Sequence, residues 1–297
     1  MITPDHLSKG DRIAIVSTAR KVSEAEIRPC VKTLTSWGLE VVLGANLYKE
    51  QNQFAGSDEE RTLDMQSMFD DPSIKAIICA RGGYGTVRII ELLDFTGFIA
   101  NPKWLIGFSD VTVLHSHIHA NHSIATLHAP MAINFVDGES LEDLRKALFG
   151  EELSYSFSSV PSNRNGTCNG EIIGGNLSLL YSLMATESQM NSDGKILFIE
   201  DLDEYLYHID RMMQNLKRTG FLKNLAGLLI GGMTDMNDNE IPFGKTAEEI
   251  IAETIGKYHY PVAFGFPAGH LKKNSPIILG AQVKLCVDDS GCNLEYL

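Results

Sequence analysis

Short apolar runs alternate with capped helical stretches through the first 135 residues. No other feature of the chain limits its fold as much. Arg12-Ile-Ala-Ile-Val-Ser-Thr reads as a buried strand. Ser23-Glu-Ala-Glu26 is a capping box, in which a hydroxyl and a carboxylate satisfy orphan N–H groups at a helix start. Its helix should run to about Trp37 and stop at Gly38, a residue suited to the left-handed position after a helix. Glu40 to Leu43 is a second strand. Ser57-Asp-Glu-Glu60 opens another helix, which should end near Asp70, before Pro72. Ile74 to Ala80 and Trp104 to Phe108 read as strands, Thr86 to Leu93 and Asp110 to about Asn121 as helices, and Ile124 to Leu127 as a fifth strand. Such alternation builds parallel βαβ units, so the expectation is an α/β fold with an open, doubly wound, mostly parallel sheet.

The pattern then changes. Residues 151–170 are rich in Ser, Asn and Gly and lack helical periodicity, so they read as a connecting segment. Beyond them, short strands at Ile196 to Ile199, Gly227 to Ile230 and Val283 to Val287 surround helices at about 206–219 and 246–256. At ~100–200 residues per domain, 297 residues suggest two domains. The division expected is 1–150, an α/β domain; 151–170, the connection; and 171–297, a smaller α+β domain.

The formal charge of −13 argues against nucleic acid, whose binding draws on Lys and Arg neutralising phosphates. No run approaches the ~18–20 apolar residues of a membrane span, and the opening residues lack a basic leader pattern. Five cysteines, at 30, 79, 168, 286 and 292, show no CxxC pair, so a reduced, cytoplasmic chain without a zinc site is expected.

In an open α/β sheet, ligands bind beyond the carboxyl ends of the strands. Two segments fall there. Arg81-Gly-Gly-Tyr-Gly85 can bring backbone N–H groups close to an anion or an oxyanion. It lacks the spacing of a nucleotide-phosphate loop, and the plainer reading is a tight turn. Gly107-Phe-Ser-Asp110 places a serine at a strand-to-helix turn, the setting of a nucleophile elbow, with the Asp110 N–H at a helix start. Here the plainer reading is an N-cap serine.

A serine nucleophile needs a base, and the base an orienting acid. His115, His119 and His122 share one helix face, but three imidazoles along a helix do not converge on one ion, and no HExxH pattern is present. His128 follows a strand. His270, in Gly265-Phe-Pro-Ala-Gly-His270, sits in a loop after an apolar run and is the better base candidate. Acids cluster at Glu200-Asp-Leu-Asp-Glu204, at the expected end of a buried strand.

Taken together, these segments resemble the LD-carboxypeptidases, or muramoyltetrapeptide carboxypeptidases, a family that includes the microcin C self-immunity proteins. The matching segments are 81–85, 107–110, Ile173-Gly-Gly-Asn-Leu177, Ile199-Glu-Asp201 with Ile209-Asp-Arg211, and 265–270, in the family's order over nearly the whole chain. The opening Leu7-x-Lys9-Gly-Asp11-x-Ile13-Ala-Ile-Val also looks like the family's start. His128-Ala-Pro130 departs from the family's usual His-Gly-Pro.

The resemblance implies an N-terminal domain similar to class I glutamine amidotransferases and a smaller C-terminal domain, with the triad assembled across their interface in a homodimer. By position, it makes Ser109 the nucleophile, His270 the general base and Glu200 the orienting carboxylate. It puts the N–H groups of Gly83 and Asp110 in the oxyanion hole. The implied substrate is a muropeptide tetrapeptide that loses its terminal D-alanine during peptidoglycan recycling. No cofactor or metal is implied. A carboxypeptidase must hold the free carboxylate of its substrate, and Arg81 and Arg211 are the candidates, with Tyr84 a further substrate contact. Arg211 could equally pair with an acid of the 200–204 cluster.

Three alternatives stay open. One is the same mechanism on an aminoacyl-nucleotide amide; it needs an aromatic surface, yet Trp37 and Trp104 lie in expected core elements, leaving Tyr84 or Tyr205. The second is a muropeptide-binding module without catalysis, disfavoured because all three triad residues are present. The third is a metal-dependent hydrolase using the histidine-rich helix.

Overall fold

The order of the strands in the first sheet decides where this molecule can bind a ligand. A computed structural model describes residues 1–136 and 138–297. In it the first sheet is built from β1 (Arg12–Val16), β2 (Glu40–Leu43), β3 (Ile74–Cys79), β4 (Trp104–Gly107) and β5 (Thr126–His128). The pairs β1–β2, β1–β3, β3–β4 and β4–β5 are all parallel. Across the sheet they run β2-β1-β3-β4-β5, so the direction of winding reverses between β1 and β3. In doubly wound sheets that reversal opens a crevice at the carboxyl ends of the two strands. Ile13 to Val16 and Ala76 to Cys79 are fully buried, as expected of a parallel sheet covered on both faces.

The covering helices are α1 (Glu24–Ser36), α2 (Asp58–Asp70), α3 (Thr96–Ala100), α4 (Thr112–His122) and α5 (Gly138–Phe149). Both capping boxes form: Glu26 N–H meets the Ser23 hydroxyl, and Glu60 N–H that of Ser57. Thr86 to Leu93, expected to be a helix, is instead two short 3₁₀ turns. The backbone makes i→i+3 bonds there: Arg88 N–H donates to the Gly85 carbonyl, Ile89 N–H to that of Thr86 and Leu92 N–H to that of Ile89.

A buried lysine closes α2. Lys103 Nζ donates to the carbonyls of Met68, Phe69 and Asp71 at 2.8–2.9 Å, satisfying acceptors that the helix end leaves open. Burial pushes its pKa down to about 8, so it is still mostly charged at neutral pH. Lys103→Met should keep the aliphatic packing but strand those carbonyls. We expect a loss of about 2–4 kcal/mol in urea unfolding; a change under about 0.5 kcal/mol would show that the lysine contributes only its stem.

Contacts divide the chain into two units: Met1–Glu152 with Ser275–Ile278, and Leu153–Asn274 with Leu279–Leu297. The second unit carries β6 (Ser154–Phe157), β7 (Gly166–Asn176), β8 (Ile196–Leu202), β9 (Gly227–Thr234) and β10 (Val262–Phe264). The chain then supplies β11 (Ile277–Leu279), which joins the first sheet beside β5, before β12 (Gln282–Asp288) and β13 (Gly291–Tyr296) complete the second sheet. That sheet runs β10-β9-β8-β7-β12-β13-β6. It is parallel from β10 to β7 and antiparallel from β7 to β6. Both units are thus α/β, with sheets that are parallel in large part.

The segment 151–170 is not an irregular connection. It contains β6 and the start of β7. In the edge strand β6 the exposed Ser154 and Ser156 flank a buried Tyr155, and in the first half of β7 the exposed Thr167 and Asn169 flank a half-buried Cys168, so few apolar residues mark these strands. The helices α6 (Leu177–Ser182), α7 (Leu206–Arg218) and α8 (Ala247–Thr254) belong to this unit. Ile209, Met213, Ile250 and Ile251 bury one face of β8 and β9 against Leu197, Ile199, Leu228 and Ile230.

Candidate active site

Ser109 sits where β4 turns into α4, with a left-handed φ of 61°. A non-glycine residue held there stores strain, and strain of this kind collects at functional turns. The turn is over-determined by its neighbours. A Cβ on Gly107 would come within 2.8 Å of Val111, so only glycine lets the incoming helix approach the strand end. His115, one turn into α4, is fully buried, with Nε2 2.9 Å from the Gly107 carbonyl and Nδ1 2.9 Å from the Thr126 hydroxyl. Burial pushes its pKa down to about 4, so the ring is neutral at physiological pH. A carbonyl only accepts, so we assign the proton to Nε2, and Nδ1 accepts from Thr126. His115 is therefore committed to the elbow. His117 and His122 lie against the Phe95 ring, and no group of three metal-ligating side chains occurs among the described residues.

The glycine loop after β3 lies against this serine. A Cβ on Gly82 would stand 3.1 Å from Ser109 Cβ and 3.3 Å from its Oγ, so the loop backbone packs on the nucleophile candidate itself. Gly83 and Gly85 have φ of 106° and 152°, in the range that favours glycine. Two buried charged side chains hold the loop. Arg61 donates through Nη1 to the carbonyls of Thr18 (2.5 Å) and Gly85 (3.0 Å), while Nη2 pairs with Asp58. Asp110 accepts the Thr86 N–H on Oδ2 at 2.8 Å, tying down the chain just after the loop. Asp110 Oδ1 is buried with no hydrogen-bond partner among the described residues, and burial raises its pKa. Asp110 is thus a loop anchor as well as the residue whose N–H follows the serine. Arg81 forms an ion pair with Glu26 at 3.3 Å, and Tyr84 is exposed, its ring 6.2 Å from that of Phe54.

In the second unit Glu200 and His270 come together. Glu200 is fully buried, and its Oε2 accepts from His270 Nδ1 at 2.7 Å and from His270 N–H at 3.2 Å. A carboxylate on Nδ1 keeps the proton there and directs Nε2 to act as acceptor. The second oxygen of Glu200 has no hydrogen-bond partner among the described residues. Glycine again permits the approach: a Cβ on Gly269, at φ 100°, would lie 2.6 Å from Glu200 Oε2. The loop is tied by Asn274, which accepts the Gly269 N–H at 2.8 Å, and by Thr234, whose hydroxyl donates to the His270 carbonyl at 3.1 Å. The register between β8 and β9 slips after Ile199, where Gly231 and Gly232 insert an extra residue in β9. A Cβ on either glycine would strike Ala268 or Leu271, so the bulge makes room for the histidine loop.

The acid cluster differs from its sequence reading. Glu200 and Asp201 lie within β8, which continues to Leu202, and are not beyond its end. Asp201 takes hydrogen bonds from Asn176 Nδ2 and Ser178 N–H, both at 2.9 Å, and burial next to Glu200 pushes it up to about 7. Glu204 instead meets His208 at 2.5 Å. Arg211 lies over the Tyr207 ring at 5.2 Å and pairs with none of the acids at 200–204 among the described residues. Trp104 is core, but Trp37 is only half-buried, at the end of α1.

Sequence reasoning missed the residues that hold the candidates in place. His115 looked like one of a histidine stripe, and Arg61, Asn274 and Thr234 carry no local motif. The pairs of adjacent glycines, at 82–83, 174–175 and 231–232, are a readable sign of close backbone approach.

Comparison with known proteins bears on both units. Residues 13–129 match the LD-carboxypeptidase N-terminal domain and residues 169–285 the LD-carboxypeptidase C-terminal domain. A probable murein peptide carboxypeptidase of Bacillus subtilis is 34% identical over 95% of this chain and 91% of its own length. The crystal structure of a muramoyltetrapeptide carboxypeptidase from Oxalobacter formigenes superposes with a TM-score of 0.88 at 27% identity, covering 96% of this chain and 98% of that one. The microcin C7 self-immunity protein MccF shares the fold, with a TM-score of 0.87 at 22% identity over 100% of this chain and 98% of its own.

Proposed function

Because the chain belongs to the LD-carboxypeptidase family, we propose that it is a serine-type peptidase that removes the terminal D-alanine from muropeptide tetrapeptides. The observation that carries this reading is Ser109, held left-handed at the end of β4 with the Gly82 backbone against its side chain. An N-cap serine needs no such conformation; a nucleophile lifted out of a sheet does.

The chemistry follows from the groups present. Ser109 Oγ attacks the scissile carbonyl as its proton passes to His270 Nε2. The carbonyl oxygen becomes an oxyanion, received by the N–H groups of Gly83 and Asp110. Collapse breaks the C–N bond, and the D-alanine nitrogen leaves with the proton from His270. Water then attacks the acyl-enzyme with His270 again as base, freeing the shortened peptide and restoring the Ser109 hydroxyl. Glu200, hydrogen-bonded to Nδ1, stabilises the imidazolium in both halves of the cycle.

The murein names of the relatives support a muropeptide substrate. Our reading extends to a cytoplasmic homodimer acting in peptidoglycan recycling. No helix among the described residues is long and apolar enough to cross a membrane. Incubation with a muramyl tetrapeptide, read by mass spectrometry, should show the loss of one alanine. An intact tetrapeptide with folded protein, alongside cleavage of an aminoacyl-nucleotide amide, would move the chain to the immunity-type activity.

A further inference from the structure

Two loops leave the carboxyl ends of β1 and β3, where the winding of the sheet reverses. One is the glycine loop after β3. The other follows β1 and ends at Arg20, an exposed arginine. Its N–H points to the Gly82 carbonyl at 3.4 Å. Its side chain runs directly across Gly83: a Cβ there would lie 2.5 Å from Arg20 Cδ, 2.7 Å from Nε and 2.8 Å from Cγ. Gly83 is therefore a glycine for two reasons, its left-handed φ and the arginine that occupies the space of a side chain.

The arginines of the N-terminal unit are otherwise matched to acids. Arg12 meets Asp71 and Glu40, Arg28 meets Glu24, Arg61 and Arg88 meet Asp58, Arg81 meets Glu26, and Arg145 meets Glu142 and Glu151. Arg20 forms no ion pair among the described residues. In a chain of net charge −13, an arginine left without a carboxylate at the switch point of the sheet stands out. Its charge also reaches Asp110, where it favours the ionised carboxylate. Arg20 thus stands directly beside Gly83, one of the two residues whose N–H is assigned to the oxyanion.

We propose that Arg20 receives the free C-terminal carboxylate of the residue to be released, and so makes the enzyme a carboxypeptidase rather than an endopeptidase. This rests on the functional reading above, in particular on Gly83 as an oxyanion donor. The spacing fits. A Cβ lies about 2.5 Å from its own backbone nitrogen, which puts Arg20 Nε within roughly 5 Å of the Gly83 N–H. In the substrate, the scissile carbonyl and the terminal carboxylate belong to neighbouring residues, whose Cα atoms are about 3.8 Å apart. A guanidinium matches a carboxylate with two parallel hydrogen bonds. Arg81 is already engaged by Glu26, and Arg211 by the Tyr207 ring.

The test compares a muramyl tetrapeptide ending in a free carboxylate with the same peptide ending in a carboxamide, using wild type, Arg20→Gln and Arg20→Lys. Wild type should prefer the acid by roughly 10- to 100-fold in kcat/KM. In Arg20→Gln that ratio should fall toward one, through a raised KM for the acid. Arg20→Lys should keep part of it, as a point charge without the planar fork. Equal slowing of both peptides by Arg20→Gln would overturn the assignment, since it would mean that Arg20 only supports the Gly83 backbone. An unchanged ratio would also overturn it and leave the carboxypeptidase reading intact. If wild type cleaves neither peptide, the functional reading fails and the role of Arg20 falls with it.

Discussion

Ser109→Ala should lower kcat for alanine release by roughly 10⁴- to 10⁶-fold, because it removes the hydroxyl that the proposed mechanism uses to form the acyl-enzyme. The residual rate over water would come from oxyanion stabilisation and binding alone. The variant should remain folded. Alanine bears the same left-handed cost at φ 61°, and the contacts that impose that conformation come from Gly107, Val111 and His115, not from the hydroxyl. Thermal unfolding should therefore stay within about 1 kcal/mol of wild type. The measurement is single-turnover release of alanine together with a melt. Activity above about a hundredth of wild type in a folded variant would place the nucleophile elsewhere.

Gly174→Ala should be the most damaging single substitution for the fold. In the parallel pairing of β7 with β8, Gly174 faces Phe198, and its φ is 131°. A Cβ there would lie 1.8 Å from the Phe198 carbonyl oxygen and 2.7 Å from its carbon. Both are backbone atoms of a central strand, so no side-chain rotation relieves the clash. The strands would have to separate two residues before Glu200. We expect a loss above about 4 kcal/mol and a collapse in soluble yield. Gly194→Ala is the control: its φ of 69° is also left-handed, but a Cβ there meets nothing within 4 Å. That change should cost only about 1–2 kcal/mol. If the two variants melted alike, the close approach of β7 to β8 would be wrong.

What the sequence made legible was local. Ser23 and Ser57 announce their helices because each box closes within four residues. The strands β1, β3 and β4 stand out because burial on both faces makes them almost continuously apolar, whereas the edge strand β2 is only partly buried. By contrast, β6 and the first half of β7 read as a linker, since exposed positions broke their apolar pattern. The 86–93 segment read as a helix because its own residues permit one, and in the fold it is broken at Ile89 into two 3₁₀ turns. The candidate site divides in the same way. Ser109, Glu200 and His270 lie in motifs that could be read directly. His115, Arg61, Asn274 and Arg20 matter through partners 8 to 63 residues away or only 5, and none sits in a pattern that signals it.

One strand changes how the molecule must be made. The sheet of the N-terminal unit is finished at its β5 edge by β11, which emerges only after residue 276. During synthesis the ribosome releases β1 to β5 long before that strand exists. Until then β5 presents an open row of backbone donors and acceptors, a surface that invites pairing with another chain. A gene fragment cut after residue 152 would carry the same defect permanently. The first half of this protein is consequently a poor unit to express alone, and its final folding step waits on a strand encoded far downstream, at Ile277–Leu279.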